Sequence, residues 1–80
     1  IITNPIIQTH KYYLIAGSFL EEENANRMFS KLKKWGYDAE ILKNNKRIRV
    51  SYSEYATREN ALIALNEIRK NNPSAWLLTQ

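Results

Sequence analysis

From Lys11 the chain alternates. Tyr12, Leu14 and Ala16 interleave with Tyr13, Ile15 and Gly17, a period of two that predicts a β-strand with two rather apolar faces. The period then lengthens: Ala25, Met28, Phe29 and Leu32 recur at i, i+3, i+4 and i+7, one face of a helix. Glu21, Glu22 and Glu23 stand where the positive end of the helix dipole favours carboxylates, and Lys33 and Lys34 fall in its last turn. Gly36 is placed for the left-handed residue that stops a helix, and Tyr37 after it reads as packing. Trp35, ten residues after Ala25, reads as an extension of the buried stripe.

A second strand is expected over 38–43, with Ala39 and Ile41 on one side. Asn44-Asn45 marks a tight turn, so the next strand, 46–53, should pair with it as an antiparallel hairpin. There Ile48, Val50 and Tyr52 alternate with Arg47, Arg49 and Ser51. Thr57 suits a helix N-cap, Ala61, Ala64, Leu65 and Ile68 form a second helical stripe, and Asn71-Asn72-Pro73 ends it. Residues 75–79 make a short last strand. The first ten residues, IITNPIIQTH, carry Pro5 and no sustained alternation; residues 1–10 read as a tail or linker, with Ile6 and Ile7 its means of lying on the domain.

The chain also repeats itself. YLIAGSFLEEENA, from residue 13, aligns with RVSYSEYATRENA, from residue 49, an offset of 36. Both end in Glu-Asn-Ala and both place an aromatic, Phe19 or Tyr55, six residues before that alanine. The offset also pairs Phe29 with Leu65, Leu32 with Ile68 and Ile41 with Leu77. The unit is βαβ, and two copies predict an α+β domain, βαββαβ, with a four-stranded antiparallel sheet and two helices on one face. The helix stripes require Leu14, Ala16, Ala39, Ile41, Ile48, Val50, Tyr52, Ala75 and Leu77 to point inward. The opposite, uncovered face then carries Tyr13, Ile15, Glu40, Leu42, Arg47, Arg49, Ser51, Trp76 and Leu78. A face mixing aromatics, aliphatics and arginines is the kind of patch that binds something.

Composition narrows what it binds. The 80 residues make one domain, 44% hydrophobic and 25% charged, a globular balance. A net charge of +4 either keeps a small domain soluble or favours an anionic partner. Without cysteine there is no thiolate metal site, and the lone His10 lacks carboxylates at ligand spacing, so neither metal nor cofactor is expected. No apolar run approaches the ~18 residues of a membrane span. Ile1 in place of Met suggests a piece of a larger protein. Catalysis is not expected: the Glu21–Glu23 run matches a helix dipole, Ser18 and His10 lack a third partner, and two glycines build no phosphate loop. Arg47 and Arg49, two apart on a strand, share a face and suit a carboxylate or phosphate, or else a solvated pairing with Glu40 across the hairpin. Trp76, between inward Ala75 and Leu77, is sent outward, where its ring either stacks on a ligand or is covered by the N-terminal tail. An RNA-recognition-motif reading of the same architecture needs outward aromatics on the central strand, and KRIRVSYS offers arginine and serine there instead. That nucleic-acid-binding reading and a protein-interaction module stand as the alternatives.

The run Tyr-Tyr-Leu-Ile-Ala-Gly-Ser-Phe, then Asn24-Ala25, Leu32 and Gly36-Tyr37, resembles the SPOR (sporulation-related repeat) domain over about residues 11–79. Arg49-Val50, Asn60-Ala61 and Ala75-Trp76 carry the likeness through the second half. The resemblance implies a SPOR-like, non-catalytic module over 11–80, on the periplasmic side of the cell envelope, that takes a larger protein to the wall or the division septum. Its implied partner is peptidoglycan, in particular glycan strands denuded of stem peptides, with no nucleic acid, and with the monomer as the binding unit. It also implies where the ligand sits. The candidate glycan-binding residues are Tyr13, Ile15, Ser18, Arg47, Arg49, Ser51, Trp76 and Leu78. Ile15 stands where the family commonly has glutamine, Arg47 where it often has an aromatic, and Ser53-Glu54-Tyr55 where many members have Gly-Pro-Phe. Stem-peptide removal frees the lactyl carboxylate of each muramic acid, a partner for Arg47 or Arg49, and pyranose faces suit Trp76 and Tyr13.

Overall fold

The computed structural model describes residues 11–80, and the tail read over 1–10, with Ile6, Ile7 and His10, lies outside the described residues. The elements run β1 (Tyr12–Phe19), α1 (Glu22–Lys34), β2 (Glu40–Lys43), β3 (Ile48–Tyr55), α2 (Arg58–Ile68) and β4 (Trp76–Thr79). This is the βαββαβ order that the repeat predicts. The sheet is ordered β2-β3-β1-β4 and every neighbouring pair is antiparallel. The edge strand β4 pairs with β1, and just beyond them Lys11 and Gln80 exchange two backbone hydrogen bonds, of 2.6 and 2.8 Å.

Both helices pack on one face. Leu14, Ala16, Ala39, Val50, Tyr52 and Ala75 of the sheet side meet Ala25 and Leu32 of α1 and Ala61, Leu65 and Ile68 of α2 in a single buried cluster. Ile41, Ile48 and Leu77 pack against it, so all nine inward positions face the helices. The helix ends follow from local chemistry. The Thr57 hydroxyl accepts a hydrogen bond from the Asn60 N–H at 3.2 Å, satisfying one of the free amides that open α2. At the end of α1, Gly36 takes φ 95°. Its N–H bonds the Lys33 carbonyl while that of Tyr37 bonds Leu32, both at 3.0 Å, the paired closure that a left-handed residue permits.

Simple alternation fails at two places, and both matter. Ile15 pairs with Ser51 and Gly17 with Val50, so Ala16 and Gly17 together oppose one residue of β3. On β3, Tyr52 and Ser53 together oppose Leu14, between the pairs Ile15–Ser51 and Tyr13–Glu54. The two bulges fall at equivalent places in the two repeats. Each reverses the facing of the residues after it: Phe19 and Tyr55 turn inward against the core, while Ser18 and Glu54 turn to the other face. At the first bulge the Phe19 ring lies over Gly17, where a Cβ would come within 2.8 Å of it.

Three expectations are corrected. Trp35 is 61% exposed rather than at the core edge: it lies about 80° round the helix from Ala25 and one residue beyond the last turn. Arg47 precedes β3, because the strand spans 48–55 rather than 46–53. The face away from the helices is not open at its centre, since Tyr13 is 6% exposed and Ile15 and Ser51 are 0%.

Candidate functional site

The candidate residues sit on the face opposite the helices, positioned by the register of four strands. One row crosses the whole sheet: Glu40 of β2 pairs with Ser51 of β3, Ser51 with Ile15 of β1, and Ile15 with Trp76 of β4. A second row places Leu42 beside Arg49 and Arg49 beside Ser18. A third pairs Glu54, Tyr13 and Leu78. Ser18 joins this face only because of the bulge at Ala16–Gly17, since strict alternation from Leu14 would turn it toward the helices.

Arg49 and Trp76 make the central contact. They lie on β3 and β4 with β1 between, two strand spacings or roughly 10 Å across the sheet and in different rows. Yet the Arg49 guanidinium carbon lies 5.4 Å from the centre of the Trp76 ring, a cation–π contact. The two side chains therefore reach toward each other over β1, the strand that carries Ile15. Ile15, on the face away from the helices, is wholly buried. The Arg49 Nε and the Ser51 Oγ are both buried without a hydrogen-bond partner among the described residues. The guanidinium is thus placed beside the indole with its Nε donor unused.

Arg47 is exposed in the hairpin turn that precedes β3. The Asn44 Oδ1 accepts the backbone N–H groups of Lys46 and Arg47 at 2.8 and 2.7 Å, fixing the turn. Arg47 and Arg49, with Lys46 and the two asparagines, line one shallow hollow at this end of the sheet. Neither arginine pairs with an acidic side chain among the described residues, Glu40 included. At the opposite end Lys11 Nζ pairs with Glu54 at 3.2 Å. Burial, then the nearby Glu40 and Glu54 carboxylates, raise the Tyr13 phenol above its ordinary pKa, so it remains a neutral donor.

The eight candidates therefore separate by depth. Ser18 and Arg47 are exposed, Arg49, Trp76 and Leu78 half-buried, and Tyr13, Ile15 and Ser51 form the floor. Leu42, on this face by alternation but outside the candidate set, is half-buried directly opposite Arg49 and widens the apolar strip. The arrangement presents a cation beside an aromatic ring, with an exposed serine, Ser18, in the same row as the cation. Among the described residues no group of three or more acidic or histidine side chains could hold a metal ion.

The architecture is that of a small α+β domain, an antiparallel βαββαβ sheet with both helices on one side. The SPOR domain family model matches residues 9–79, and the chain belongs to that family. Its fold is also similar to the solution structure of the peptidoglycan binding domain of the B. subtilis cell wall lytic enzyme CwlC. That likeness has a TM-score of 0.75 at 20% identity and covers 98% of this chain and 99% of that one. No curated protein matches the chain by sequence.

Proposed function

We propose that this domain binds peptidoglycan without catalysing its turnover, reading glycan strands from which stem peptides have been removed. The observation that carries the reading is the Arg49–Trp76 pair on the sheet face, a ring for sugar stacking beside a cation with spare donors. Membership of the SPOR family supports it, as does a fold shared with a peptidoglycan binding domain. The lactyl carboxylate exposed by stem-peptide removal accepts from the outer nitrogens of Arg49, with Arg47 as a second cation nearer the hairpin. Pyranose rings lie on Trp76 and Leu78, and Ser18 bonds a sugar hydroxyl. Tyr13, Ile15 and Ser51 act beneath these as the floor. Residues 11–80 form the binding unit, as a monomer, of a periplasmic, septum-directed envelope protein.

The test is a pull-down with purified sacculi before and after amidase digestion. Binding should rise after digestion, and Trp76→Ala and Arg49→Ala should each abolish most of the gain with an unchanged circular dichroism spectrum. Equal binding to digested and undigested sacculi removes the denuded-strand specificity. Binding to single-stranded RNA in place of sacculi removes the glycan reading altogether.

A further inference from the structure

The side of the domain away from the candidate site carries a second set of groups that glycan binding does not use. On α1, Arg27, Lys31 and Lys34 recur at i, i+4 and i+7, the exposed face opposite Ala25 and Leu32. Lys33 stands beside them. Arg27 is paired with Glu23 at 3.5 Å, but Lys31, Lys33 and Lys34 have no acidic partner among the described residues. Directly after them comes Trp35, 61% exposed, with the Lys31 ammonium 5.2 Å from its ring centre. Trp35 also rims a groove floored by Tyr37 and Tyr52, between the segments that end the two helices. Three ammonium groups without acidic partners over one turn, Lys31 against the exposed indole and Lys33 over the Phe29 ring, are more than helix-dipole matching requires.

We propose that this α1 face docks on the anionic headgroups of a membrane surface. Charge complementarity fixes the sign of the partner, and the exposed indole fixes its kind. A ring with an apolar body and one N–H donor suits a headgroup boundary, where apolar and wet surroundings meet. No helix of the described residues is long and apolar enough to cross a membrane, so the contact is peripheral. Because α1 packs on the opposite face from Arg49 and Trp76, the domain can hold a lipid surface and a second ligand at once.

Sedimentation of the 80-residue chain with vesicles tests this. Phosphatidylglycerol–phosphatidylcholine vesicles should retain it at low salt and pure phosphatidylcholine should not. Lys31→Gln and Lys34→Gln should each weaken partitioning about five-fold, the worth of one basic residue at an anionic surface. Tryptophan emission should shift to the blue on binding, and the shift should disappear in Trp35→Phe, which retains Trp76. Equal binding to neutral vesicles, indifference to the two lysine changes, or a blue shift that persists without Trp35 would overturn the proposal. So would full competition by inorganic polyphosphate at matched phosphate, which would make the ligand a soluble polyanion rather than a membrane.

Discussion

Arg49 bridges β3 and β4 across an intervening strand, and its planar group is what allows this. A lysine at the same place keeps the charge but loses the flat stack on Trp76 and the forked donors. Arg49→Lys should therefore weaken binding to denuded glycan almost as much as Arg49→Ala, on the order of ten-fold or more, given about 1–3 kcal/mol for a charged hydrogen bond. Titration of binding against glycan fragments checks it, and near-wild-type affinity for the lysine variant would mean that charge alone is read. Tyr13 gives a test through stability. Its folded-state pKa is raised, chiefly by burial, so the folded protein keeps the phenol proton after the unfolded chain has lost it. Its contribution is whole below the unfolded value near 10 and is lost as pH climbs from there through the raised value. Thermal melts from about pH 9 to about pH 11.5 should fall more steeply for wild type than for Tyr13→Phe. At this scale the face of each residue could be read from alternation, and its depth could not. Ile15 and Ser51 lie on the expected side yet are buried, and periodicity assigns a face without saying how deeply neighbouring side chains cover it.

The elements themselves were the most legible part of the chain. The Thr57 cap and the Gly36 stop both stand where the sequence puts them, because each depends on chemistry within a few residues. Thr57→Ala should cost about 1 kcal/mol of stability in denaturant melts. Gly36→Ala should cost a similar amount, about 1–2 kcal/mol, purely from backbone strain, as nothing lies within 4 Å of the added carbon. Gly36→Asn should cost less, since asparagine tolerates the left-handed region. Gly17 works differently: its added carbon meets the Phe19 ring at 2.8 Å. Gly17→Ala should destabilise the wild type more than it does the Phe19→Leu variant, a coupling that a double-mutant cycle would read. The bulges were not visible in the alternation, which runs on through Gly17 in one strand and Ser53 in the other. The repeat held the clue, because it aligned Phe19 with Tyr55 and both must be on the core side for the helices to close. Trp35 misled for a related reason: a helical stripe does not extend past the turn that ends it.

For the whole molecule, the modest net charge of +4 conceals a division into two basic regions, one by the hairpin and one along α1. Binding to denuded glycan should weaken with added salt, since Arg47 and Arg49 are half-buried at most. Replacing both arginines with glutamine should flatten that dependence, and an unchanged salt slope would show that the arginines are not in the contact. The order of the strands follows from the topology, with β3 and β1 at the centre, and this puts the Arg49–Trp76 bridge over the middle of the sheet. The bonds between Lys11 and Gln80 have a mechanical meaning. The ends of the described domain lie side by side at the open end of the β1–β4 pair, so tension between them loads one pair of hydrogen bonds at a time. Such a geometry unzips at low force, whereas a pull from one end against a ligand held on the sheet face spreads its load over several strands. A module anchored through one end can thus hold under stress that would open it if it were strung between two anchors.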